Sequence, residues 1–139
     1  MQFINPPELN DPSHYGFTQA VVVPPGSQLV YIAGQGGADR NGNYGTFVEQ
    51  LKQSFINLQT ALTAVGATPE DVVKITILSV EHNETKLDLI SAQRRAFWST
   101  HKPASTLIPV PRLASDGMLF EIDAVAVISS SRISEVHLG

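Results

Sequence analysis

No cysteine occurs anywhere in the 139-residue chain. Disulfides, thiol nucleophiles, zinc–cysteine centres and thiol redox switches are therefore excluded, and the absence suits a reducing compartment such as the cytoplasm. Positive charge is also scarce, with nine Lys and Arg against thirteen Asp and Glu and a formal net charge of -4. Non-specific binding of nucleic acid runs on a broad cationic surface, so RNA and DNA are not expected partners. No apolar run is long enough to cross a bilayer. The opening stretch "MQFINPPELNDPSHYG" lacks the basic-then-apolar pattern of a secretory signal, so a soluble cytoplasmic protein without a membrane partner is expected.

Metal and phosphate chemistry have equally little to stand on. His14, His82, His101 and His137 lie far apart, without the i, i+3 or i, i+4 spacing that sets two ligands on one helical face. No metal site and no cofactor are expected. His101 is read as sitting at a helix C-terminus, where a partly protonated imidazole suits the dipole. "AGQGG", Ala33 to Gly37, lacks the Lys-Ser/Thr of a P-loop and the spacing of a dinucleotide fingerprint, and a polar loop follows instead of a helix. Its glycines are read as permitting a bulge or a close approach of another group. No GxSxG elbow supports a serine nucleophile.

What is present is a globular composition, 42% apolar, that fits one domain with one core. Residues 1–16 read as an irregular lead-in. Phe17 to Val23 and Leu29 to Gln35 are β-branched runs flanking Pro24-Pro25-Gly26 and are predicted to form a hairpin. Thr46 and Glu49 form a capping-box signature ahead of Phe47, Leu51, Phe55, Leu58, Leu62 and Val65, which recur at helical spacing until Gly66 and Pro69. A strand is predicted over Asp71 to Val80, a second helix from about Asn83 to Thr100, and a long strand over Met118 to Ile128. On that second helix Leu87, Ile90, Arg94, Phe97 and Trp98 fall near one side. Between them "KPASTLIPVPRLA", Lys102 to Ala114, carries three prolines, which confines it to an edge strand or a strand ending at a site. The domain is assigned to residues 1–128, and 129–139, with three consecutive serines, to a C-terminal tail that frays.

Two helices cover one side of such a sheet, yet its strands are apolar on both parities. Val72, Leu78 and Val80 are assigned opposite to Ile75 and Ile77, and Leu119, Val125 and Val127 opposite to Phe120, Ile122 and Ala124. An apolar sheet face without helices predicts a homo-oligomer. Glu121 and Asp123 project from the same parity of an otherwise apolar strand. Either both sit at solvated margins or beside arginines, or one of them lines a pocket and works on a proton or a water.

Five stretches together carry a resemblance: "FTQAVVV", "VYIAGQGG", "FVEQLKQSFINLQTALTAVGATPEDVVKITILSV", "AFWSTHKPAST" and "FEIDAVAV". Over nearly the whole chain, residues 15–128, the sequence resembles the Rid (YjgF) family, also called L-PSP endoribonucleases. The resemblance implies an α+β subunit of the chorismate-mutase-like (bacillar) fold, a mixed, mostly antiparallel six-stranded sheet with two helices on one face. It also implies a homotrimer with three clefts between neighbouring subunits. In the best-known branch those clefts bind small carboxylates and hydrolyse enamine/imine intermediates to 2-keto acids and ammonia, without a cofactor.

In that branch the cleft carries Pro-Ala-Arg-Ser-x-Val, whose arginine grips the substrate carboxylate. Here the stretch reads Pro103-Ala104-Ser105-Thr106-Leu107-Ile108, so Ser105 stands in the arginine's place. Phe17 replaces the usual tyrosine, Leu107 a small polar residue or cysteine, and Ser91 a frequent asparagine. Gly34 matches the cleft glycine, and Glu121 the glutamate that positions water. The resemblance thus assigns Phe17, Gly34, Ser91, Ser105 and Leu107 to the ligand and Glu121 to the chemistry. Removing one partner of a desolvated guanidinium–carboxylate pair costs about 2 to 5 kcal/mol, and a serine returns one neutral donor. The expectation is a divergent member binding a less anionic small molecule; the alternative is an active 2-iminobutanoate/2-iminopropanoate-type deaminase that draws its cation from elsewhere. Arg112, about 23 Å downstream in extended chain, is read as a surface residue. Arg94 and Arg95 are read as facing solvent or an apolar seam through their stems.

Overall fold

The computed structural model describes residues 1–129. Its strands are β1 (Gln2–Ile4), β2 (Ala20–Val22), β3 (Gln28–Gly36), β4 (Val72–Val80), β5 (Ala104–Val110) and β6 (Phe120–Ile128), with helices α1 (Phe47–Ala64) and α2 (Glu84–Phe97). The chain is α+β, as expected, but the strands do not form one sheet of six. Four of them make the main sheet in the order β3-β6-β4-β5, while β1 and β2 pair separately. The hairpin predicted across Pro24–Gly26 is absent for the same reason: β2 pairs with β1, and β3 runs antiparallel to β6. The first residues, expected to be irregular, supply the strand that β2 pairs with. The tail assigned to 129–139 lies, beyond Ser129, outside the described residues.

The proline-bounded stretch is the edge strand its composition demands. β5 lies parallel to β4, and among the described residues its outer side carries one isolated bridge, between Thr18 and Ala104. Pro109 therefore interrupts no ladder on that outer side.

Both helices pack on one face. Leu51, Phe55, Leu58 and Leu62 of α1 and Ile90 of α2 bury against Ile75, Ile77, Phe120, Ile122 and Ala124. Val72 belongs to this core and not to the opposite face predicted from simple alternation. A register shift between Val72 and Lys74 inserts one residue and turns Val72 inward. On the other face Leu29 is 52% exposed, Tyr31 74% and Ile108 43%, while Val127 beside Leu29 is buried. Among the described residues no helix is long and apolar enough to cross a membrane.

Helix α1 starts where its sequence signals. The Thr46 side chain accepts from the Glu49 backbone N–H at 3.2 Å, and the Glu49 carboxylate accepts from the Thr46 N–H at 3.2 Å, closing the capping box. At its far end the chain turns through Gly66. Helix α2 begins at Asn83, whose side chain accepts from the Lys86 N–H at 2.8 Å, and it ends at Phe97. His101 is thus beyond the helix, and its ring stacks on Phe3 with centroids 4.7 Å apart instead of meeting the dipole. Trp98 closes the helix end: fully buried, it packs edge-on to Phe55 and Phe97 and donates its indole N–H to the Pro69 carbonyl at 2.9 Å.

A buried polar side chain ties α1 to the loops at the edge of the sheet. Gln50 is fully buried; its amide donates to the carbonyls of Gly45 and Gly117, each at 2.9 Å, and accepts from the Leu119 N–H at 2.8 Å. It thereby satisfies backbone groups of two loops at once. Gln50→Leu fills a similar volume but strands those three groups, so urea unfolding should show a loss of about 2 kcal/mol, within the usual cost of unsatisfied buried polar groups.

Candidate functional site

The segment before β2, which sequence composition marks as loose, is held against α2. Gly16 adopts φ 78°, and a Cβ there would lie 2.7 Å from the Arg94 Cβ and 2.8 Å from the Arg95 nitrogen, so only glycine allows this approach. Arg95 donates to the His14 carbonyl, and the Thr18 N–H donates to the Pro103 carbonyl at 2.9 Å. The segment so pinned roofs a cavity of about 370 Å³ between α2 and β5. Asp11, Tyr15 and Phe17 line it from the roof, Arg94 from the helix, and Ser105 and Leu107 from the strand.

Arg94 dominates that cavity electrostatically. It is 2% exposed, yet its guanidinium has no carboxylate partner among the described residues. Its Nη1 donates to the Ser105 Oγ at 2.9 Å, and the guanidinium carbon lies 5.5 Å from the centre of the Phe17 ring. Its Nε–H is buried without an acceptor. Burial strips water from the cation and pulls its pKa down to about 10, which leaves it charged at neutral pH. Asp11 offers no neutralisation within ion-pair distance. Its carboxylate accepts from the Ser13 N–H at 3.0 Å, and that bond holds it below the usual carboxylate range.

A second, smaller cavity of about 90 Å³ lies on the opposite face of the sheet, lined by Gly34, Thr76, Leu78, Glu121 and Asp123. The strand pleat accounts for the separation. Ser105 and Leu107 pair with Ile75 and Ile77 on the helix-covered face, whereas Glu121 pairs with Leu78 on the other. The register of β3 shifts between Ile32 and Gln35. There a Cβ on Gly34 would stand 1.8 Å from the Glu121 Oε1, so the glycine gives the carboxylate its space. Asp123 is exposed and accepts from the Thr76 N–H at 3.1 Å; for this carboxylate the solvated-margin alternative holds.

Of the residues singled out in the sequence, Phe17, Ser105 and Leu107 share one cavity, and Gly34 and Glu121 share the other. Ser91 lies in neither: it is buried on α2, its hydroxyl without a partner. Arg112 is a surface residue, as read, paired with Asp116 at 3.2 Å. Arg94 is the residue whose contact with Ser105 the sequence reading missed. Its signal was its place on the apolar side of α2, where a cation is out of pattern.

Comparisons with known proteins agree on the lineage. Residues 9–128 match the family model described as Endoribonuclease L-PSP. The 2-iminobutanoate/2-iminopropanoate deaminase of Capra hircus is 31% identical over 114 residues, 80% of this chain and 79% of that protein. The RutC family protein YjgH of Escherichia coli K12 is 29% identical over 101 residues, 72% of this chain and 76% of its own. Among solved structures, YyfB of Yersinia pestis, a protein of the conserved Rid family, superposes with a TM-score of 0.85 at 35% identity, covering 91% of this chain and 98% of that one.

The contact between Gly34 and Glu121 is directly measurable. Gly34→Ala should destabilise the wild-type chain but cost much less in a Glu121→Ala background, a coupling of about 1 kcal/mol in a double-mutant cycle by urea unfolding; strict additivity would show that the two positions do not touch.

Proposed function

Because the chain belongs to the endoribonuclease L-PSP family, the Rid (YjgF) proteins, we propose that it works as a homotrimer binding small metabolites in clefts between its subunits. The observation that carries this reading is the division of the candidate residues between two faces of one sheet. Ser105 on one face and Glu121 on the other cannot meet a common small ligand within a single chain. An assembly that sets the α2–β5 cavity of one subunit against Glu121 of the partner subunit unites them. The exposed side chains of Leu29, Tyr31 and Ile108 supply apolar surface for such an assembly.

With Ser105 in place of the family's arginine, the protein is a divergent member in which deaminase turnover is slower than in arginine-bearing relatives. The second reading is an active enamine/imine deaminase. It is favoured by one observation, that the Arg94 guanidinium reaches the Ser105 hydroxyl. In that case water adds to the imine carbon while Glu121 takes its proton and returns it to the nitrogen, which leaves as ammonia with a 2-keto acid remaining. RNA cleavage is no part of the proposal, since the net charge of -4 provides little attraction for a polyanion.

Light scattering on the wild-type chain should return three times the chain mass, and Tyr31→Asp should shift it toward a single chain; a monomeric wild type would sink the proposal. Keto-acid release from freshly generated 2-aminoacrylate should fall below that of arginine-bearing relatives and vanish in Glu121→Gln. Turnover matching those relatives would select the second reading.

A further inference from the structure

We propose that Arg94, carried by α2, is the anion-binding residue of the α2–β5 cavity, and that the ligand class is a small monocarboxylate docking between its guanidinium and the Ser105 hydroxyl. The inference rests on the reading above only in treating this cavity as a ligand site; neither trimer formation nor turnover enters it.

A cation removed from water needs an anion or a full set of hydrogen bonds. Arg94 has neither. It is 2% exposed, one of its donors goes to a neutral hydroxyl, and its Nε–H has no acceptor. Asp11, which lines the same cavity, is engaged by Ser13. Arg94 therefore lines a cavity of about 370 Å³ with no anion of the described residues within ion-pair distance. A carboxylate suits the Arg94 guanidinium in both charge and shape, because a guanidinium edge offers parallel donors at the spacing of two carboxylate oxygens. Phe17 lies 5.5 Å from the guanidinium carbon, a cation–π contact that uses none of the cation's N–H donors. Ser105 accepts from Nη1 with a lone pair, so its own proton is free to donate to the same carboxylate.

The same geometry gives Ser105 a reason. A long cationic side chain at that position would meet Arg94 Nη1, which already lies 2.9 Å from the serine oxygen, and two guanidinium groups would repel. A small residue on β5 is what admits a cation from α2. The anchor has moved from strand to helix, and its partner at 105 has become an orienting hydroxyl.

The test uses the full chain with pyruvate as the probe and pyruvamide as its neutral counterpart. Calorimetric titration should show pyruvate binding to the wild type and none by pyruvamide. Arg94→Met should weaken pyruvate binding at least about thirty-fold, while the melting temperature holds or rises because an unpaired buried cation has been replaced by an apolar side chain of similar length. Arg94→Lys should keep part of the affinity. Ser105→Arg should lower the melting temperature without improving binding. In the unmutated protein the Arg94 Nε–H resonance should move on adding pyruvate, a readout that does not depend on any variant folding. Wild-type failure to bind pyruvate, equal binding by Arg94→Met, or an unmoved Nε–H signal would overturn the proposal. A monomeric protein that still binds pyruvate through Arg94 would overturn the preceding reading and leave this one standing. A trimer that turns over normally as Arg94→Met would do the reverse.

Discussion

The pleat of the sheet governs this molecule. Successive side chains of a strand leave on opposite faces, so every position on β4, β5 and β6 is committed either to the helices or to the far side. Ile75, Ile77, Phe120 and Ile122 take the helix side and form the core. Ser105 and Leu107, in register with the first two, inherit that side and open onto the cavity under α2. Glu121, one residue from Phe120 and one from Ile122, is sent the other way. Burial of the core and separation of the two candidate half-sites are consequences of one alternation.

Within that frame, irregularities place the chemistry. The register shift in β3 and the missing Cβ of Gly34 make room for the Glu121 carboxylate. The shift at the start of β4 returns Val72 to the core. Gly16, at φ 78° and in contact with the backbone of α2, lets the N-terminal segment lie close on the helix and line the cavity beside it. Each device costs some local regularity, and each sets the position of a particular side chain.

Arg94 is the point of greatest electrostatic tension. Charge in the last turn of a helix is favourable, and α2 carries two arginines there. Arg95 turns outward and binds the His14 carbonyl; Arg94 turns inward and finds a hydroxyl and an aromatic face. The difference between neighbours follows from the hundred-degree step of the helix, which sets residue 94 in line with Ile90 and Leu87 on the buried side.

The sequence by itself determined the α+β class, the capped start of α1, the edge position of β5, the surface role of Arg112 and the family. These depend on local signals: periodicity, caps, prolines that cannot enter a ladder, and a long run of motif residues. The family resemblance also implied that Ser105 stands where a cation is usual. Only the tertiary structure decided which strands pair, since β1 and β2 find each other across a loop that no local signal encodes. Only it showed that an arginine eleven residues upstream donates to the Ser105 hydroxyl, because bringing residue 94 to residue 105 requires the packing of α2 on the sheet. Local propensity fixes what a segment is; which side chains meet is a property of the packed whole.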